Sequence, residues 1–258
     1  MGKHNKNNKH KKILIMLFVF VFIISIGVII RNNMIENIEN EKIKDTSKIL
    51  ENIDVGTIDK EGKSERSLQL KILRKEYPNV IGWLEINGTK INYPVCQAQN
   101  NDYYLNHSYK KEKNKSGSLF LDMENSIDEQ ERNLLIYGHR NKYGYMFEDL
   151  IKYKNKEFWK ANSTIRFTTE IDDEEYIIFA VVRTRVFYQD EANVFRYYNF
   201  ACIEEENEYN KYIEEMKKLS LYDTDIEPKN GEKLLTLSTC EYSQKNGRFV
   251  VVAKKLEE

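Results

Sequence analysis

The stretch that decides the fold lies near the end of the chain and reads LLTLSTCEYSQKNGRFVVVAK, residues 234–254. Two apolar, β-prone runs, Leu234–Leu237 and Phe249–Ala253, flank a polar connection. This pattern predicts two neighbouring strands with a loop between them. Cys240 comes where the first strand should end, and Arg248 where the second should begin. A thiol and a guanidinium are therefore expected at one rim of a sheet.

The polar connection suggests a reactive cysteine. Positive charge nearby stabilises the thiolate, which is the reactive form, so Cys240 beside Arg248 is a candidate nucleophile. The alternative is a buried cysteine that behaves as a small apolar side chain, the commoner situation of a lone cysteine. The polar neighbours Ser238 and Glu241 argue against deep apolar burial. An Asn-Gly pair at positions 246–247 indicates a turn directly before the arginine.

Length and composition fit a membrane segment followed by one compact domain. The chain has 258 residues and a formal net charge of −1, so no global field favours nucleic acid or an acidic membrane surface. The three cysteines, Cys96, Cys202 and Cys240, cannot all pair, so we predict no disulfide framework. No group of cysteines and histidines has metal-ligand spacing, so neither a metal nor another cofactor is predicted.

The first thirty residues have the pattern of a membrane anchor. Residues 1–12 are polar and rich in lysine, and residues 13–30 carry no charge. As a helix this run spans about 27 Å, enough for the hydrocarbon core of a bilayer. The preceding lysines favour a cytoplasmic N-terminus, which would place everything after Arg31 outside the cell. A cleaved signal peptide is the alternative, but its apolar region is normally shorter and ends in a small-residue site that this run lacks.

Residues 31–78 are predicted to be a helical N-terminal extension. Between residues 31 and 66, apolar side chains show only partial helical spacing, which fits either a solvated stalk or a helix lying on the domain. A second helix is predicted at Ser67–Tyr77, where leucine and isoleucine recur at three- and four-residue steps. Pro78 should end it.

From residue 79 the hydrophobic period changes to that of short strands. Besides the terminal pair, six segments have strand character: Ile81–Ile86, Gly88–Val95, Ser118–Asp122, Asn133–Tyr137, Ser163–Phe167 and Tyr176–Val186. About eight strands, few of them joined by helices, predict an antiparallel barrel or sandwich. One amphipathic helix is predicted among the late strands at Glu204–Leu219, where it should cover one end of the barrel.

A thiol nucleophile needs a proton acceptor and donor within reach, and the chain has four histidines. His4 and His10 precede the predicted anchor and would lie on the other side of the membrane. His107 sits in a polar loop, whereas His139 follows the predicted strand Asn133–Tyr137 and a glycine. A strand end is a rigid mount, and a glycine beside it lets another segment approach closely. We therefore favour His139, although a histidine without catalytic duty is the usual case.

Together these features resemble a known family. Thr236-Leu-Ser-Thr-Cys240, followed eight positions later by Arg248, is similar to the active-site strand pair of the sortases, cysteine transpeptidases of Gram-positive bacteria. Six further blocks resemble class B sortases, in class B order: Asn79–Ile86, Ile91–Val95, Asp102–His107, Gly117–Asp122, Tyr137–Arg140 and Met146–Leu150. The resemblance implies a mainly β, closed eight-stranded sortase-type β-barrel over residues 79–258. It also implies N-terminal helices, one extra helix between late strands and an N-terminal transmembrane helix.

The resemblance also implies a reaction. Sortases cleave a sorting signal near the C-terminus of an exported protein and join the new carboxyl end to an amine. The implied partners are thus a sorting-signal peptide and a peptidoglycan or pilin amine. Carried over by position, Cys240 is the nucleophile, His139 the general acid and base, and Arg248 the oxyanion or substrate-positioning donor. The N–H of Glu241 is a candidate second oxyanion donor, and Ser238 either touches substrate or hydrogen-bonds locally.

Two other functions stay open on the sequence alone. A Cys/His hydrolase, such as a papain-like protease, shares the first chemical step, but that family places its cysteine well before its histidine, the reverse of the order here. A membrane-tethered β-domain that only binds a partner would need none of this chemistry. Cys96 and Cys202 are predicted to be packing residues. Substrate choice is expected to depend on the loops around residues 96–118 and 187–203.

Overall fold

The apolar N-terminal run folds as part of one long helix, α1, which spans Lys3–Thr46. Within it the segment Lys11–Ile35 is long and apolar enough to cross a membrane, and none of that segment is buried. The helix continues past residue 30, where the apolar run ends, because no proline follows to interrupt it. The end of the predicted anchor is therefore a change in side-chain chemistry and not in backbone structure.

The structure is a computed structural model that describes residues 3–56, 63–127, 131–141 and 144–257. It divides after Lys44 into two compact units. The first is helical throughout its described part, and the second contains all of the described strands.

Eight strands close into a barrel: β1 (Val80–Glu85), β2 (Asn92–Cys96), β3 (Leu119–Leu121), β4 (Asn133–Tyr137), β5 (Thr164–Thr168), β6 (Asp173–Arg185), β7 (Leu234–Cys240) and β8 (Gly247–Lys255). Around the barrel their order is β1-β2-β3-β4-β7-β8-β6-β5. The closed barrel confirms the predicted fold class and excludes the sandwich. Closure leaves no open edge in this sheet, so every strand is paired on both sides.

The expectation of an antiparallel sheet is wrong at two pairings. Strands β2 and β3 are parallel, as are β4 and β7. Parallel neighbours need a long crossover connection, and β4 and β7 are separated in sequence by two strands and two helices. The alternation of side chains along a strand is the same in both arrangements, so the sequence pattern could not distinguish them.

Several predicted strand boundaries are shifted, and the largest shift is at Gly88. The strand expected from Gly88 begins only at Asn92. Gly88 adopts a φ of +76°, and a Cβ there would lie 2.0 Å from the side chain of Asn162. Residues 88–91 therefore form a turn that only glycine can open, and the strand starts after it.

Helix α2 (Glu65–Glu76) connects the N-terminal extension to the barrel. Ser64 caps it, because its hydroxyl accepts a hydrogen bond from the N–H of Ser67 at 3.1 Å. Leu70 and Leu73 of the helix pack in one cluster with Trp83 of β1. Helix α2 therefore packs against the first strand of the barrel through these two leucines.

The extra helix is present as α4 (Glu206–Leu219), following the six-residue α3 (Lys156–Ala161). Its buried side chains are the predicted stripe of Tyr209, Tyr212, Ile213 and Met216. They pack against residues of β6, β7 and β8, including Phe179 and Val250. Four short 3₁₀ segments complete the described elements: Leu50–Asn52, Tyr103–Leu105, Glu148–Lys154 and Tyr197–Phe200.

Candidate active site

The parallel pairing of β4 and β7 brings two C-terminal strand ends to the same rim of the barrel. Tyr137 and Ser238 are register partners at these ends. Beyond them the N–H of Gly138 donates to the carbonyl of Ser238 at 3.2 Å, and the Thr239 hydroxyl donates to the carbonyl of Gly138 at 2.7 Å. His139 and Cys240 are the next residues of the two segments, so both emerge at this rim.

Gly138 is required by close packing, as the sequence indicated. A Cβ at this position would lie 2.4 Å from the Leu119 side chain and 2.7 Å from that of Phe147. Any larger residue would force the rim apart directly before His139.

The antiparallel pairing of β7 and β8 adds the guanidinium. Cys240 and Arg248 are direct register partners, which confirms that they lie at adjacent strand ends. The predicted turn between them is present, since Asn246 adopts the left-handed conformation with a φ of 56°. A Cβ on Gly247 would lie 2.2 Å from the carbonyl oxygen of Glu241, so the loop closes on itself only with glycine there.

These three side chains line one cleft of about 660 Å³. Cys240, His139 and Arg248 are each partly exposed, so solvent or a ligand can reach all three. Ser238 also contributes to the wall of the cleft. The structure thus brings together four of the five predicted site residues on one surface.

His139 is held in a defined tautomer by the backbone of another segment. Its Nε2 lies 2.7 Å from the carbonyl oxygen of Leu105. A carbonyl only accepts hydrogen bonds, so Nε2 carries the proton of the neutral ring and Nδ1 carries the lone pair. His107, the other candidate, stacks on the ring of Tyr103 with 4.2 Å between the ring centroids, and its Nδ1 forms a hydrogen bond with the carbonyl of Tyr103. These contacts lie within its own loop.

Arg248 has few internal partners. One Nη donates to the carbonyl of Gly247 at 3.0 Å, and no carboxylate pairs with the guanidinium among the residues the structure describes. Arginine has five N–H donors, so most of them are left to face the cleft.

Comparison with known proteins agrees with this geometry. The sequence model of the Sortase domain matches residues 84–256. Sortase B of Listeria monocytogenes (serovar 1/2a, strain EGD-e) is 34% identical over 223 residues, which cover 86% of this chain and 87% of that protein. The chain belongs to the sortase family, class B. It is therefore a cysteine transpeptidase of the sortase B type.

Solved class B sortases have the same fold. The chain superimposes on a Staphylococcus aureus sortase B–substrate complex with a TM-score of 0.64 and 29% identity, covering 73% of this chain and 85% of that one. It matches a sortase B complexed with triglycine with a TM-score of 0.72 and 25% identity, covering 86% and 99%. The fold of this sortase is therefore shared with its relatives over most of the chain.

One of the predicted site contacts differs in this sortase, and for a second residue the structure favours one of the two alternatives that the sequence left open. The N–H of Glu241 was predicted as a second oxyanion donor. In the structure it donates to the carbonyl of Gly247 at 2.9 Å, so it is not free to bind an oxyanion. The loop between the two strands is short, and this bond closes it. Ser238 shares a hydrogen bond of 2.7 Å with the hydroxyl of Tyr197 and is 1% exposed, which favours the local role over direct substrate contact.

The other two cysteines do not line this cleft among its described residues. Cys96 is fully buried, and burial raises the pKa of its thiol to about 12. Cys202 is less buried than predicted, and its thiol donates to the carbonyl of Glu124 at 2.9 Å. Burial and then nearby carboxylates raise the pKa of Cys202 to about 11. Neither thiol is an effective nucleophile at neutral pH.

Sequence reasoning missed the residues that support the site from other segments. Tyr197 lines the cleft and holds Ser238, yet its only signal is an aromatic-rich stretch around residues 195–200. The Leu105 contact uses a backbone carbonyl, which every residue has. No residue type could have revealed it.

The Glu241 side chain stabilises the loop that follows the cysteine. Its carboxylate is 3% exposed and accepts hydrogen bonds from Lys154 at 3.0 Å and from the N–H of Ser243 at 2.9 Å, as well as from the Ser243 hydroxyl. Burial opposes the charge, but these donors prevail and lower the pKa of Glu241 to about 2.

We expect Glu241→Gln to lower the free energy of unfolding at pH 7 by about 1–3 kcal/mol, because the Lys154 ammonium loses its charged partner. Since the folded pKa is lowered, this stability is present above the ordinary value of 4.5 and is lost as the pH falls toward 2. Urea unfolding of both proteins at pH 7 and pH 3 should show the difference shrinking. Glu157→Gln is the control, because Glu157 forms an exposed ion pair with Lys160. It should change the free energy of unfolding only slightly at either pH. An unchanged difference at pH 3 would contradict the prediction.

Proposed function

We propose that this sortase cleaves a C-terminal sorting signal of exported proteins through a thioester on Cys240 and transfers the acyl group to an amine of the cell wall or of a pilin. The observation that carries the proposal is the meeting of Cys240, His139 and Arg248 in one cleft. A thiol, an imidazole and a guanidinium are the groups that two-step acyl transfer requires.

In the first half of the reaction, His139 takes the proton of the Cys240 thiol at Nδ1, the ring nitrogen that the Leu105 contact leaves without hydrogen. The thiolate attacks the scissile carbonyl, and Arg248 donates to the oxygen that becomes negative. The tetrahedral intermediate collapses as the C–N bond breaks, and His139 gives its proton to the leaving amine. The acyl group is then bound to sulfur as a thioester.

In the second half, an incoming amine attacks the thioester and loses a proton to His139. The Cys240 thiolate leaves, and the new amide retains the acyl group, so no external energy source is needed. A relative's structure holds triglycine, and a glycine peptide presents an unhindered primary amine of the kind that could resolve a thioester. Another relative is described as a substrate complex, which supports a peptide on the acyl side.

The N-terminal helix supports a location for this reaction at the outer side of the cell membrane. We propose that Lys11–Ile35 crosses the cell membrane once, with the lysine-rich tail in the cytoplasm and the barrel unit outside. An enzyme tethered in this way would meet exported proteins as they leave the membrane. The proposal of a membrane span is based on the length and composition of this helix. Protease treatment of intact cells would test it, because a barrel unit outside the membrane should be digested.

A test of the acceptor separates transpeptidation from hydrolysis. The full-length chain in detergent micelles is incubated with a library of peptides, with and without triglycine, and the products are weighed by mass spectrometry. We expect the cleaved acyl fragment to appear mainly as its triglycine conjugate when the amine is present, because the amine is a stronger nucleophile than water toward a thioester. A free acid as the main product in both cases would favour a peptidase, and no cleavage would favour a binding domain.

A further inference from the structure

The two segments that carry the thiol and the imidazole are joined again beyond the reacting residues. Arg140 follows His139 at the end of β4, and Tyr242 lies two residues after Cys240 at the end of β7. We propose that Tyr242 and Arg140 form a clasp that fixes the spacing between Cys240 and His139. The inference rests on the catalytic roles proposed above for that pair.

The clasp consists of two contacts. The Tyr242 hydroxyl donates to the backbone carbonyl of Arg140 at 2.8 Å. The Arg140 guanidinium also lies over the Tyr242 ring, 5.1 Å from its centroid, a distance at which a cation and an aromatic face attract. One side chain therefore contacts both the backbone and the side chain of the residue after His139.

Arg140 is itself held in place on the other side. Its Nε lies 3.2 Å from the Glu148 carboxylate, and this ion pair is only about one-fifth exposed at each end. The carbonyl of His139 accepts a hydrogen bond from the N–H of Phe147 at 2.9 Å. Tyr242 thus contacts a residue that is itself held in place. Its contacts can therefore fix the position of the segment that carries Cys240 relative to the segment that carries His139.

The clasp closes a frame around the reacting pair. On the barrel side, hydrogen bonds from Gly138 and Thr239 tie the two segments together one residue before His139 and Cys240. On the solvent side, Tyr242 ties them together just after. Without that outer tie the two segments would be free to separate at the point where the proton must pass, and small misplacements of catalytic groups are costly.

The geometry supports a role for Tyr242 and Arg140 in positioning Cys240 and His139, and not in contacting substrate. Neither Tyr242 nor Arg140 is among the described residues that line the cleft. Partial burial and then the charge of Cys240 raise the pKa of the Tyr242 hydroxyl above its ordinary value. The hydroxyl therefore remains a hydrogen-bond donor throughout the pH range in which the enzyme would work.

The test uses the full-length chain in detergent micelles with Tyr242→Phe, Arg140→Met and the double variant. Tyr242→Phe keeps the ring and removes only the hydroxyl, on a side chain that is 68% exposed, so the protein should still fold. For the library peptide that the unmodified chain cleaves fastest, we expect Tyr242→Phe to lower kcat about threefold to tenfold, the effect of one hydrogen bond. Arg140→Met removes the cation over the ring but leaves the backbone carbonyl, so it should lower kcat by a smaller factor. KM should stay within about twofold. The double variant should lose less than the product of the two single effects, because both changes weaken the same clasp.

A second readout needs no peptide recognition. Phenyl vinyl sulfone reacts with the thiolate, and mass spectrometry counts the adduct on the Cys240 peptide. Labelling should slow by a similar factor in Tyr242→Phe, because a thiol held less closely to its base is ionised less often. Tyr222→Phe is the matched control, since the Tyr222 hydroxyl also donates to a backbone carbonyl, that of Tyr153 at 2.7 Å, and Tyr222 lies outside the described lining of the cleft; it should behave as the unmodified chain.

The outcomes separate the two proposals. Unchanged kcat and labelling in Tyr242→Phe, or effects that multiply in the double variant, would overturn the clasp. A rise in KM with constant kcat would assign Tyr242 to substrate binding instead. If the unmodified chain cleaves no library peptide, the proposed function fails, and the labelling rates alone still decide whether the clasp exists.

Discussion

Replacing Cys240 with alanine should abolish peptide cleavage, with a fall in kcat of at least about 10⁴-fold. The substitution removes the sulfur and leaves the Cβ, so no thioester can form. The register pairing of residue 240 with Arg248 uses only backbone atoms, and the barrel should therefore persist. Cleavage rates together with the melting temperature by circular dichroism would show whether activity is lost while the fold remains.

The matched control for this prediction is Cys202→Ala. Cys202 is also partly exposed, but burial and nearby carboxylates raise the pKa of its thiol to about 11, and it lies outside the described lining of the cleft. We expect Cys202→Ala to cleave peptide at the rate of the unmodified chain, and a vinyl sulfone adduct to map to Cys240 in both proteins. Residual turnover by Cys240→Ala, or an adduct found first on Cys202, would exclude the thioester mechanism.

The local arrangement of the thiol and guanidinium could be predicted because it depends on neighbours in sequence. Two apolar runs separated by an Asn-Gly turn can form only a few hairpin-like pairings, and these place Cys240 opposite Arg248. The structure confirms that pairing. The same local reasoning identified α4 from its spacing and Gly138 from its position after a strand.

The approach of His139 to Cys240 could not be derived in this way. It depends on the parallel pairing of β4 with β7, whose register partners are about a hundred positions apart in the chain. Alternation of apolar residues specifies which face of a strand is buried but not which strand lies beside it. Only the likeness to class B sortases placed the imidazole beside the thiol before the structure was known.

Contacts made by backbone atoms form a second group that residue types do not reveal. The carbonyl of Leu105 fixes the His139 tautomer, and the carbonyl of Gly247 occupies the N–H of Glu241. The second contact removes a donor that the sequence had assigned to the oxyanion. Because that donor is engaged, Arg248 becomes the principal candidate to stabilise the negative oxygen.

Arg248→Met should therefore lower kcat about 10²-fold to 10³-fold, the cost of removing one oxyanion donor, with a much smaller change in KM. Methionine keeps much of the length of the side chain and removes every N–H. Arg248→Lys retains the charge but loses the planar fork of donors. Its kcat should therefore lie between that of Arg248→Met and that of the unmodified chain. Steady-state kinetics on the fastest library peptide would separate kcat from KM for each variant.

Arg183→Met provides the control, because Arg183 is an exposed arginine on the neighbouring strand β6 and is paired in register with Phe249, next to Arg248. It should leave both constants unchanged, which would exclude a general effect of removing a positive charge from this part of the β6–β8 pair. If Arg248→Met instead raises KM and leaves kcat intact, the guanidinium binds substrate equally in the ground and transition states. The oxyanion would then require a donor that becomes free only when the peptide is bound, and the bond between Glu241 and Gly247 is the one whose opening would supply it.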